Sequence, residues 1–146
     1  MALKELESVT DSDIESGAIL MIDDSQDDAD LTRLALDQIN APQLLLYSGD
    51  PVGTVDQLQT KPAVLHHLKL VLLDINMPRL NGMDVLKELR AHPATKELTI
   101  VLMTTSDDPN ERVTSEALGA DAHFQKPANF ADFVDLAQQI KSTYLD

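Results

Sequence analysis

Cysteine and tryptophan are absent from the 146-residue chain, and aromatic residues make up only 3% of it. Without cysteine there is no disulfide framework, no thiolate metal site and no thiol nucleophile. The N-terminus lacks the apolar run of a secretory signal, and no stretch approaches the roughly 20 apolar residues needed to cross a bilayer. A cytoplasmic protein is the expectation. Basic residues are scarce as well: 11 Lys and Arg stand against 25 Asp and Glu, a net charge of −14. Such a surface repels phosphate backbones and anionic membranes, which argues against direct nucleic-acid or membrane binding. With so few aromatics, the core must be built from Leu, Ile, Val, Met and Ala packed between layers, and the length suits one domain of α/β type.

What is present is a repeating alternation of short apolar runs and helical stripes. Residues 1–17 mix acidic and hydroxyl residues with isolated apolar ones and read as a loosely ordered acidic lead-in to a domain spanning 18–146. Ala18 to Ile22 is a continuous apolar run, as in a strand buried on both faces, and it stops at Asp23 and Asp24. Leu31, Leu34, Ala35 and Ile39 then recur at helical spacing after Ser25, a capping residue. Further strands are expected at Leu44–Tyr47, Lys69–Asp74, Thr99–Met103 and Ala122–Gln125. Helices are expected within 51–67, after Asn81 and Gly82, over 109–118 closed by Gly119, and along a last stripe from Phe130 to Tyr144. Five strand–helix units imply a parallel sheet covered on both faces, and such sheets bind ligands beyond the carboxyl ends of their strands.

The polar residues stand at those ends. Asp23 and Asp24 close the first strand, Asp74 the third, Thr104 the fourth and Lys126 the fifth. Like charges about 4 Å apart repel by about 4 kcal/mol at an effective dielectric of 20, so three convergent carboxylates require protons or a cation. A few oxygen ligands suit a hard ion that keeps several waters and completes its shell from a phosphate, which points to magnesium. A carboxylate is also a competent nucleophile for phosphoryl transfer once the charge on the equatorial oxygens is neutralised.

These segments resemble the bacterial response-regulator receiver family: Ile19 to Asp24, Leu72 to Pro78 with Asn81 and Gly82, Val101 to Ser106, and Gly119 to Asp121 leading to Lys126 and Pro127. The resemblance covers roughly residues 18–145. It implies a flavodoxin-like (βα)5 sandwich with strand order 2-1-3-4-5. It implies that Asp74 is the phosphoacceptor, that Asp23, Asp24, Asp74 and the backbone carbonyl of Asn76 hold magnesium, and that Thr104 and Lys126 contact the phosphoryl oxygens. It further implies a cis bond before Pro127 and a structural role for Gly82. His123 occupies the position of the family's aromatic switch residue. Thr105, where many relatives carry Ala or Ser, is expected to limit water's access to the phosphorylated site.

Because the sequence stops at residue 146 without room for an output domain, the resemblance is to stand-alone receivers. These take the phosphoryl group from a sensor histidine kinase and switch a surface made of the fourth helix, fifth strand and fifth helix. Thr104 to Ser106 and Asp24 to Asp30 look like receivers paired with phytochrome-type kinases, often homodimers through that same surface. Competing readings are a degenerate receiver acting as a phosphorylation-independent interaction module, and a phosphohydrolase of the haloacid dehalogenase type. The latter places its two acids two residues apart on one strand, whereas Asp23 and Asp24 are adjacent. A calcium loop over Asp23–Leu34 lacks the required Gly and Glu. His66 and His67 lack a third metal ligand nearby. Asn81 and Gly82 also satisfy simple turn chemistry.

Overall fold

The apolar runs become the strands of a six-stranded, wholly parallel sheet in the computed structural model, which describes residues 4–78 and 80–146. The strands are β1 (Lys4–Glu5), β2 (Ala18–Ile22), β3 (Leu44–Ser48), β4 (Leu68–Asp74), β5 (Ile100–Thr104) and β6 (Ala122–Gln125), in the order β1-β3-β2-β4-β5-β6. Without β1, this is the expected 2-1-3-4-5 arrangement. The helices are α1 (Gln26–Gln38), α2 (Pro51–Gln59), α3 (Pro62–His67), α4 (Gly82–Ala91), α5 (Pro109–Ala117) and α6 (Phe130–Ile140).

Side chains alternate across each strand, so every central strand feeds two cores. Leu20, Ile22, Val71, Leu73 and Leu102 pack on one face with Val55, Leu58, Val64, Val85, Leu86 and Leu89 from α2, α3 and α4. Ile19, Met21, Leu70, Leu72, Val101 and Met103 pack on the other with Ala29, Ala35 and Leu36 of α1 and Phe133, Ala137 and Ile140 of α6. Burial on both faces is why these strands read as unbroken apolar runs. Among the described residues, no helix is long and apolar enough to cross a membrane.

Three expectations are corrected. First, the lead-in is not loose where it is described; its residues 1–3 lie outside the described residues. Lys4 and Glu5 pair in parallel with Leu46 and Tyr47, and Leu6 and Ile14 are buried in the core. Thr10 begins a capped turn in which its N–H donates to Asp13 Oδ2 at 2.8 Å, and Lys4 pairs with the same carboxylate at 3.3 Å. Two buried apolar side chains are enough to fasten an otherwise polar segment along the free edge of β3. Second, the stretch 51–67, expected to hold a helix, holds two, both packed on the sheet. Lys61 has φ −124° and ψ 72°, outside the helical region, because Pro62 excludes helical geometry from the residue before it, and Pro62 then starts α3. Third, no described peptide bond is cis, Lys126–Pro127 included. The long lysine side chain reaches the acids at the sheet edge from a trans bond.

Gly82 is required by proximity rather than by backbone sign: its φ is not positive, and it opens α4. A Cβ there would collide with the carbonyl oxygen of Asp74 and lie 2.8 Å from Ile75 Cα. The Gly82 N–H donates to the Ile75 carbonyl at 2.8 Å, so the start of α4 is locked against the strand end that carries Asp74. Gly82→Ala is expected to destabilise the protein by about 1–3 kcal/mol, as overpacking generally does, and to displace Asp74. A thermal melt that matches wild type would show that this contact is slack.

Candidate functional site: an acidic pocket at the carboxyl edge of the sheet

Asp23 and Asp24 follow β2 and Asp74 ends β4, the two central strands, so the parallel register brings all three acids together. One carboxylate oxygen from each lies within 4.8 Å of those of the other two. Asp23 and Asp74 are 1% and 3% exposed, whereas Asp24 is open to solvent. This is an all-oxygen donor set with one exposed ligand, which fits a hard divalent cation that retains waters. Burial, reinforced by the charge of Asp23, pushes the Asp74 carboxyl up to about 7. Burial also raises Asp23, against the pull of Lys126.

Lys126, just past β6, is the cationic counterweight. Its ammonium donates to Asp23 Oδ2 at 2.8 Å and to Asp28 Oδ2 at 2.8 Å, and lies 3.6 Å from Asp74 Oδ1. Burial alone would lower its pKa; the hydrogen bonds to Asp23 and Asp28 prevail and hold it above the usual lysine range. Asp28 was not singled out as a site residue from the sequence, where it reads as an acid favouring the N-terminus of α1. The local geometry explains its availability. Ser25 caps α1 by accepting from the Asp28 N–H, yet the Ser25 N–H is already taken by Asp23 Oδ1 at 2.9 Å. The Asp28 carboxylate therefore does not fold back on the cap and turns to Lys126. The recoverable signal was position: Asp28 lies in the first turn of α1, which starts directly after the strand end that carries Asp23 and Asp24.

Thr104 is fully buried at the end of β5, and its hydroxyl accepts from Asn76 Nδ2 at 2.8 Å and from the Ser106 N–H at 3.0 Å while donating to Glu111 Oε1 at 3.0 Å. Asn76 thus lies between the acids and Thr104: its N–H donates to Asp74 Oδ1 at 3.3 Å. Glu111, on the first turn of α5, is a second residue that sequence reasoning passed over. Thr105 is exposed beside the site. His123 pairs with Leu102 across β5 and β6 and so lies on the same sheet face as Thr104, two positions along. Neither of its ring nitrogens has a hydrogen-bond partner, and burial, aided by Arg112, lowers its pKa below the ordinary 6.5. Its titration therefore falls further from neutrality than that of a free histidine.

A parallel doubly wound sheet with three acids, a lysine and a buried threonine at its carboxyl edge defines a class of phosphate-handling signalling module. The comparisons name it: the model of the response regulator receiver domain matches residues 19–138, and the chain belongs to that family. The response regulator Rcp1 of Synechocystis sp. is 28% identical over 130 residues, covering 88% of each chain. The transcriptional regulatory protein CpxR of Klebsiella pneumoniae is 31% identical over 116 residues, 80% of this chain but 45% of CpxR. The crystal structure of manganese-bound Rcp1 superposes with a TM-score of 0.75 at 27% identity, covering 87% of this chain and 93% of that one. The protein is a receiver domain of two-component signalling.

Proposed function

We propose that Asp74 is the phosphoacceptor and that a sensor histidine kinase, of the phytochrome type, is the donor. The arrangement of Asp74 between Asp23, Lys126 and Asn76 carries this reading. Asp74 Oδ1 is held by the Asn76 N–H and faces Lys126, and no described residue donates to Oδ2, which is free to attack. As the Asp74 oxygen–phosphorus bond forms, the phosphorus–nitrogen bond of the phosphohistidine breaks, and the departing imidazole nitrogen keeps the electron pair and takes up a proton. Lys126 can turn its third N–H to the transferred group without abandoning Asp23 and Asp28. Asp23, Asp24, Asp74 and the Asn76 carbonyl would hold magnesium, which supplies charge neutralisation of the phosphoryl oxygens. The manganese found in Rcp1, a relative in sequence and structure, supports a divalent ion here.

In the same reading Thr104 donates to a phosphoryl oxygen in the phosphorylated state, His123 adjusts behind it, and Thr105 restricts water. The surface that changes is α5, β6 and α6, where a homodimer would form. The net charge of −14 supports protein partners over nucleic acid, in a cytoplasmic regulator. The test is incubation with acetyl phosphate and magnesium followed by intact-mass measurement. One phosphate adduct is expected, absent in Asp74→Asn and after chelation. No adduct under any condition would make the chain an interaction module that works without phosphorylation.

A further inference from the structure

We propose that Glu111 is a latch on Thr104: it holds the hydroxyl proton that the phosphoryl group must capture, and so ties occupancy of the site to release of α5. The proposal rests on the phosphoacceptor reading of Asp74. A threonine hydroxyl has one proton and two lone pairs. Here all three are committed, the lone pairs to Asn76 Nδ2 and the Ser106 N–H and the proton to Glu111 Oε1 at 3.0 Å. Thr104 is fully buried, so water does not substitute for any of them. Its hydroxyl cannot donate to a phosphoryl oxygen and to Glu111 at once, and the two acceptors are both anionic and compete for one proton.

The position of Glu111 makes that competition consequential. It lies on the first turn of α5, behind the cap formed by Asp108, which accepts from the Asn110 N–H. Ser115 is the one buried residue of α5, so this helix has little apolar anchorage on the sheet. The Thr104–Glu111 bond is therefore a polar tie between the sheet edge and a lightly held helix. When the phosphoryl group takes the proton, the tie is cut and the first turn of α5 is freed. Glu111 is a positioning residue, acting through Thr104.

The experiment is a cycle of Glu111→Ala and Thr104→Val, with Glu111→Gln as the conservative variant, each labelled with acetyl phosphate and magnesium. Glu111→Ala is expected to label about 3- to 10-fold faster, the scale of the net contribution of one ordinary hydrogen bond. Glu111→Gln, whose amide oxygen still accepts the proton, should stay near wild type. In the Thr104→Val background Glu111→Ala should change nothing, since the proton it competes for is gone. An unchanged rate in Glu111→Ala, or an effect that persists without the Thr104 hydroxyl, overturns the latch. If wild type takes no phosphate at all, the phosphoacceptor reading fails, and proton NMR of the unphosphorylated protein decides the latch. A solvent-protected Thr104 hydroxyl resonance present in wild type and Glu111→Gln but lost in Glu111→Ala supports it, and its presence in all three overturns it.

Discussion

Asp74→Asn is expected to make the metal-free protein more stable at pH 8 while abolishing its phosphate adduct. The native carboxyl is raised to about 7 from an ordinary 3.8, first by burial and then by the Asp23 charge. The folded state therefore binds a proton more tightly than the unfolded chain. The stabilising proton is in place below about pH 4 and is lost as the pH rises through about 7, leaving a penalty on the order of 2 kcal/mol above that once solvent screening at the open side of the cluster is allowed for. Asparagine removes the charge and hence the penalty. At pH 8 in chelator the melting temperature should rise by about 5–10 °C, and the gain should vanish toward pH 4. Magnesium should narrow the gap by stabilising wild type through preferential binding to the folded state. Equal melting temperatures for both proteins at pH 8 would mean that Asp74 is not strained by its neighbours.

Lys126→Met should have the opposite effect on stability. The side chain is 9% exposed and lies between Asp23, Asp28 and Asp74, so removing its charge leaves buried carboxylates without compensation. Breaking a buried pair from one side typically costs about 3–5 kcal/mol. The acids can escape part of that by taking up protons, so the loss should be larger at pH 8 than at pH 5. A melting temperature lower by about 10–15 °C at pH 8, partly restored by magnesium, is the expected result. An unchanged melt would show that solvent screens the acids without the lysine. The pair of variants also separates two roles: each is expected to abolish or impair phosphorylation, but one should relieve the acidic cluster and the other expose it.

Most of the fold was legible because its signals are local. Ala18 to Ile22 and Ile100 to Thr104 are unbroken apolar runs that end in polar residues, and α1 and α6 carry clear helical stripes. Strand ends fall at the residue where the run stops, which placed Asp23, Asp74, Thr104 and Lys126 on one edge before any coordinates. The segment 51–67 was less regular because Pro62 divides it into two helices, each too short to show a long period. The edge strand at Lys4 and Glu5 had no run to reveal it. Two residues pair there because Leu6 and Ile14 bury behind them, and burial of isolated apolar residues leaves no periodic trace.

The sequence by itself determined the alternation of strands and helices, the family, and the identity of the acids, threonine and lysine that meet at the sheet edge. Each follows from residue type and spacing within one element, together with the parallel topology those elements impose. Only the tertiary structure decided how the polar groups are partnered. It showed that Lys126 reaches Asp28 as well as Asp23 from a trans bond, that Thr104 gives its proton to Glu111, and that Gly82 is needed because α4 begins against the Asp74 carbonyl. The reason is one of range: periodicity records which face a residue presents, whereas the choice among several nearby acceptors depends on ångström-scale placement of elements far apart in the chain.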